Sequence, residues 1–143
     1  MSDRIKIKRL FQESPIGRNV TVMGWVRTRR DSKGGFSFLE VNDGSTLKGL
    51  QVLADGSLPN YASEINRITT GASVRIDGEV VKSPAAGQPI ELKATAIEIF
   101  GQADDGYPLQ KKRHSFEFLR DIAHLRPRSN TFGAMARMRH GLS

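Results

Sequence analysis

The chain has 143 residues, a hydrophobic fraction of 38% and a net charge of +7, with 22 Lys and Arg against 15 Asp and Glu. That length allows one domain, or one domain with the start of a second, and the absence of cysteine excludes a disulfide framework, Cys-based zinc sites and a thiol nucleophile. No apolar run reaches the roughly 18–20 residues needed to span a bilayer, and the basic start from Met1 to Arg9 lacks the apolar stretch of a secretory signal, so a soluble, cytoplasmic protein is expected.

Val20, Val22, Gly24 and Val26 alternate with Thr21, Met23, Trp25 and Arg27, the period of two of a half-buried strand. Lys33-Gly34-Gly35 marks a turn, Phe36 to Val41 a second strand, Asn42-Asp43-Gly44 another turn, and Leu47 to Leu53 a third strand. Leu58, Tyr61, Ile65 and Ile68 fall at spacings of three and four, with Pro59 near the start and Gly71 beyond the end, which predicts a short amphipathic helix. The period of two returns at Ala72, Val74, Ile76, Gly78 and Val80, and Ser83 to Pro89 reads as a loop. Ile90, Leu92 and Ala94 open a fifth strand whose parity slips near Ala96, as a bulge would cause. Three strands, a helix and two strands, an all-β/α+β pattern, predict a five-stranded Greek-key barrel of the OB-fold type with its helix between strands three and four. Other small α+β folds share that order.

Residues 1–102 are thus the expected barrel domain, and 103–128 a linker or hinge. Within that linker Phe116, Leu119, Ile122 and Ala123 suggest a helical segment stopped by Pro127. Residues 129–143 form a last helix, Thr131 to Leu142, with Asn130 as its N-cap. Met135, Met138 and Leu142 share a face of that helix and have nothing to pack against before the chain ends, so its C-terminus is expected to be a truncation.

The positive charge comes in two blocks. Residues 4–33 carry nine basic side chains, among them Arg27, Arg29 and Arg30, against Glu13 and Asp31. Residues 105–143 carry eight, among them Lys111, Lys112, Arg113 and Arg128, against Asp105, Glu117 and Asp121. Such blocks suit a polyanionic partner, and also occur as solvated faces. An OB barrel binds a single strand across the outer face of its second and third strands, with basic groups for phosphates and aromatics for bases. The parts are present from Trp25 to Gln51: Arg27, Arg29 and Arg30 close the first strand, Phe36, Phe38 and Glu40 share one face of the second, and Gln51 lies on the third. A phenyl ring stacks on any base. A glutamine amide matches the ring N–H and adjacent carbonyl of uracil, and an arginine fork suits a carbonyl or a phosphate. Two plainer readings stand beside these: phenylalanines that fill the barrel interior, and arginines that form a solvated strand end. His114, His124 and His140 have neither metal-ligand nor triad spacing. The run Lys111 to His114 reads as a solvated linker rather than a targeting signal. No P-loop, nucleophile elbow or paired-carboxylate arrangement is visible.

The run Val20 to Lys33 closely resembles the opening strand of asparaginyl-tRNA synthetases. So do Phe38 to Ser45, Ser57 to Tyr61 with Thr69 to Gly71, Tyr107-Pro108-Leu109, Lys112 to Ser115, and His124 to Asn130. Aspartyl and lysyl enzymes share the Gly-Trp-Val opening, but the stretch from Tyr107 to Asn130 looks like the asparaginyl branch. The resemblance covers nearly the whole chain. It implies an N-terminal OB domain that binds the anticodon loop of tRNA(Asn), with the middle uridine stacked on Phe38 and read by Gln51 and Arg30. The other anticodon bases would lie near Ser83, Gly87 and Gln88. It also implies a catalytic domain using ATP and magnesium to attach asparagine to tRNA. Thr131 to Ser143 resembles that domain's first signature helix, which helps form a homodimer. The motifs for ATP and asparagine are absent from these residues, so no catalytic residue, cofactor or metal is assigned to the chain itself. It is expected to be inactive alone as a ligase, and a monomer or weak dimer. The rival expectations are a freestanding OB module binding single strands without preference, and a regulatory or interaction protein reusing the fold.

Overall fold

The computed structural model describes residues 3–84, 87–110 and 112–143. Ala85 and Ala86 of the predicted loop, Lys111 of the basic run, and Met1 and Ser2 lie outside the described residues. Strands β1 (Asn19–Asp31), β2 (Phe36–Asn42), β3 (Leu50–Asp55), β4 (Ser73–Lys82) and β5 (Ile90–Gly101) close a barrel in the order β1-β2-β3-β5-β4. All neighbours are antiparallel except β3 and β5, which run parallel. This is the OB architecture, in which closure leaves no free sheet edge. Alternation explains the core: Val20, Val22 and Val26 of β1, Leu39 and Val41 of β2, Val52 and Ala54 of β3, and Ile76 and Leu92 of β4 and β5 are buried. On β2 the intervening Phe36, Phe38 and Glu40 are only half-buried and face outward, which removes the reading of the two phenylalanines as barrel filling.

β1 serves two neighbours. Its first half pairs with β4 and its second with β2, and Gly24 lies where it bends between them. A Cβ at Gly24 would stand 2.2 Å from the backbone oxygen of Asn42. On β5 the pairing jumps from Ala94 to Ala96 against consecutive residues of β4, so Thr95 is the extra residue of the bulge expected there. On β1 a second shift, absent from the sequence reading, falls between Val26 and Thr28.

The barrel is plugged at opposite ends of β2. Beyond its C-terminal end lies α1 (Ile7–Glu13), which the sequence reading did not predict, with Ile7 and Leu10 fully buried. Asp43 and Ser45 of the β2–β3 turn accept hydrogen bonds from the backbone N–H groups of Ile7 (2.9 Å) and Lys8 (3.0 Å). They satisfy two of the donors that a helix start leaves unpaired. At the other end lies the β3–β4 connection. The helix expected there is corrected to turns and a 3-10 segment, Ile65–Arg67. Leu58, Ile65 and Ile68 are buried as their spacing requires. The backbone bonds, however, mix four- and five-residue spans (Glu64 to Asn60, Asn66 to Tyr61). The carbonyls of Ile65, Asn66 and Ile68 accept from Arg29 and so are held by a side chain.

After β5 the chain returns over the barrel as α2 (Phe116–Asp121), a 3-10 turn at Arg126–Arg128, and α3 (Asn130–Leu142). Ser115 caps α2, accepting from the Phe118 N–H at 3.1 Å. The N-cap of α3 is Ser129 and not Asn130, whose side-chain oxygen instead accepts from Arg27 at 3.0 Å. This tail grips β1 and the β2–β3 turn. The Arg128 guanidinium lies 4.4 Å from the centre of the Trp25 ring and donates to the Tyr107 hydroxyl at 3.1 Å. Arg137 donates to the Gly44 carbonyl at 2.9 Å. Gly133 packs so close to the 3-10 turn that a Cβ would come within 2.6 Å of the Pro127 oxygen. No helix among the described residues is long and apolar enough to cross a membrane.

Candidate nucleic-acid interface

The β1 bulge decides which arginine faces outward beside Phe38. Counting by twos from Val20 would send Thr28 and Arg30 into the barrel. The extra residue between Val26 and Thr28 inverts the parity, so Thr28 pairs with the outward Glu40, Arg29 with the inward Leu39, and Arg30 with the outward Phe38. Three arginines close in sequence therefore have three surroundings.

Arg30 is exposed, and its guanidinium carbon stands 4.8 Å from the centre of the Phe38 ring. Phe36 meets the same ring edge-on, with centroids 5.3 Å apart. One strand over, Gln51 pairs with Glu40. Arg30, Phe38, Glu40, Gln51 and Gln88 line a single depression of about 230 Å³ on the outer face, with Thr28 and Leu39. Five side chains singled out from the sequence thus come together around one small recess, and Phe36 flanks it.

The other expected site residues lie elsewhere. Arg27 turns toward the tail and bonds Asn130. Arg29 is engaged within the fold. Its guanidinium donates to the carbonyls of Ile65 (3.1 Å), Asn66 (2.6 Å) and Ile68 (3.1 Å), and it pairs with Asp31 at 3.0 Å. The Ser37 hydroxyl donates to Asp31 at 2.7 Å, so Tyr61 must be the donor in its 2.8 Å bond to Ser37. The Ser37 hydrogen bond, and then Arg29, hold the Asp31 carboxyl below the usual carboxylate range, against an opposing effect of desolvation. Arg29→Met is expected to destabilise the chain by about 3 kcal/mol, because it leaves these carbonyls without their charged donor. Arg30→Met should stay within about 0.5 kcal/mol of wild type. Urea denaturation midpoints of the two variants check this contrast.

Ser83 is buried and its hydroxyl donates to Glu91 Oε2 at 3.4 Å. The Gly87 carbonyl accepts from Lys48 Nζ at 2.5 Å, tying the β4–β5 loop to the β2–β3 loop beside Gln88. The residue that sequence reasoning missed is Glu91. It is buried, and its Oε2 accepts from Gln51 Nε2 at 3.2 Å. That bond orients the amide. With one N–H given to Glu91, the Gln51 carbonyl and its second N–H remain as an adjacent acceptor and donor.

A phenyl ring, a planar cation and an oriented amide thus meet at one recess of the outer face. Residues 20–100 match the family model described as an OB-fold nucleic acid binding domain. The chain is 56% identical over 143 residues to the asparagine–tRNA ligase of Geobacter sulfurreducens, covering 100% of this chain and 31% of that protein. It is 58% identical over 129 residues to the enzyme of Syntrophobacter fumaroxidans, covering 90% and 28%. Among solved structures, asparaginyl-tRNA synthetase from Pyrococcus horikoshii superposes with a TM-score of 0.72 at 23% identity, over 90% of this chain and 30% of that one, a likeness of fold. The chain therefore spans about a third of the length of the curated relatives it matches. Barrel topology, outer-face chemistry and the match across β1 to β5 converge on one conclusion: the chain belongs to the family of OB-fold nucleic acid binding domains.

Proposed function

We propose that this chain binds the anticodon loop of tRNA(Asn) as the anticodon-binding part of an asparagine–tRNA ligase. The observation that carries the reading is the outer-face recess that joins Arg30, Phe38 and the oriented amide of Gln51, in a chain more than half identical to such ligases along its length. Phe38 supplies the stacking surface for the middle uridine. The Gln51 carbonyl accepts from the uracil ring N–H, and its free N–H donates to the neighbouring uracil carbonyl. Arg30 brings a planar fork to the remaining carbonyl or to a phosphate. Adenine presents the opposite order of groups on that edge and leaves the amide mismatched, which is the physical basis of selection. Of the β4–β5 loop residues Gln88 lines the recess, and the outer anticodon bases would lie on that side, near Ser83 and Gly87.

On this reading residues 103–128 link the barrel to a catalytic domain whose first helix begins near residue 129. The whole ligase would use ATP, with magnesium, to activate asparagine in the cytoplasm, and the chain alone would bind tRNA without charging it. The exposed Met135, Met138 and Leu142 of α3 would meet a second subunit there, and the chain alone would be mainly monomeric. The test is binding to an anticodon hairpin carrying GUU against the same hairpin with the middle uridine changed to adenosine. A preference of about tenfold or more for uridine, or about 1.4 kcal/mol, is expected. Equal affinity for the two hairpins would sink the base-reading role.

A further inference from the structure

We infer that the cleft between the barrel and the C-terminal tail takes the phosphate backbone of the RNA stem that carries the bound loop. This rests on the proposed anticodon reading and extends it to a second surface. The cleft, of roughly 1090 Å³, runs between β1, the β2–β3 loop and the segment from Tyr107 to Thr131. Thr28 and Glu40 line both it and the base recess, so the two are contiguous. An RNA strand leaving the recess on that side passes directly into the cleft.

Its charge is one-sided. Arg27, Lys48, Lys112, Arg113 and Arg128 line it against a single carboxylate, Glu40. Among the described residues none of these five cations forms an ion pair. Arg27, Lys48 and Arg128 are aimed by neutral partners: the Asn130 amide, the Gly87 carbonyl, and the Tyr107 hydroxyl with the Trp25 ring. Those partners fix position without cancelling charge. Lys112 and Arg113 are exposed, and among the described residues neither side chain makes a hydrogen bond. Uncompensated cations beside a base-reading recess suit a phosphodiester backbone, which positions a nucleic acid without reading its sequence. A folded stem fits this role better than more single strand: the rings that line the cleft each have a protein partner, Trp25 and Tyr107 in Arg128, His114 in Phe118 and Phe116 in Phe132, rather than standing clear as a stacking platform.

The experiment compares the wild-type chain with Lys112→Gln/Arg113→Gln. The ligands are a GUU hairpin with a full stem, the same hairpin with the middle base changed to adenosine, and the GUU loop sequence as a linear strand, over a range of salt. The double variant should melt at the wild-type temperature. It should bind the full hairpin about tenfold more weakly, with the slope of log K against log salt reduced by about 1 to 2. Its affinity for the linear strand and its preference for uridine should be unchanged. Unaltered hairpin affinity and slope, in a wild type that still prefers uridine, would overturn the cleft assignment and leave the base reading standing. Equal losses on hairpin and linear strand would overturn it too, since the cations would then serve the loop. A wild-type chain that binds both hairpins alike would remove the anticodon reading and the stem assignment with it.

Discussion

Phe38→Ala should weaken binding of a GUU anticodon hairpin about 5- to 150-fold, the loss of roughly 1–3 kcal/mol that accompanies removal of one base-stacking ring. The ring faces outward from β2, between inward Ser37 and Leu39. Its neighbours are Arg30 and Phe36 rather than the core. The change should therefore leave the melting temperature nearly where it was. A hairpin with the middle base replaced by an abasic site separates the outcomes: wild type and variant should bind it equally. If Phe38→Ala binds the intact hairpin as tightly as wild type, the stacking role is wrong, whatever the other side chains do.

The largest effect on stability is expected at Gly24. Alanine there would set its Cβ 2.2 Å from the Asn42 backbone oxygen and 3.2 Å from a methyl of Val41. The obstructing atom is backbone in the partner strand, so no side-chain rotation relieves the clash. β1 and β2 would have to part at the point where β1 leaves one neighbour for the other. Overpacking of this kind costs about 3 kcal/mol or more, a large part of the 5–15 kcal/mol that holds a typical domain folded. The midpoint of thermal unfolding should fall by about 10 °C. Gly141→Ala is the control. Nothing lies within 4 Å of a Cβ at that position on α3, and alanine is about 1 kcal/mol more favourable than glycine in a helix interior, so stability should hold or rise slightly.

The barrel was legible because its strands obey the period of two and its turns carry Gly, Asn and Asp where the chain reverses. Even the β5 bulge was visible, as a change of parity between Ala94 and Ile97. The β3–β4 connection was misread because its apolar spacing is that of a helix. Three of its carbonyls accept instead from Arg29, a residue 36 positions from the first of them, and no local pattern reports that. Helix α1 was missed although Ile7, Leu10 and Phe11 stand at spacings of three and four. Its anchoring residues, Asp43 and Ser45, are likewise distant in sequence.

The recess was half legible. Phe38, Gln51 and Arg30 came from a resemblance, and the residues alone left phenylalanines inside the barrel as a live alternative. Separating Arg29 from Arg30 required the bulge at Arg27, which replaces no hydrophobic residue and so leaves no mark on the pattern. Glu91 could not be found at all from its own segment. It is a lone acid in an ordinary strand, and it meets Gln51 only because β3 and β5 lie side by side in parallel, 40 residues apart.

The outward and inward positions of β2 and β3 answer to different demands. Leu39, Val41, Val52 and Ala54 hold the frame, while Phe38, Glu40 and Gln51 form a faceplate mounted on it. Because adjacent positions face opposite ways, the faceplate can be exchanged without unbolting the frame. On the proposed reading, a few outward substitutions would change which nucleobase such a barrel takes and leave its buried frame untouched. Inheritance of the frame alone says little about what its face will hold.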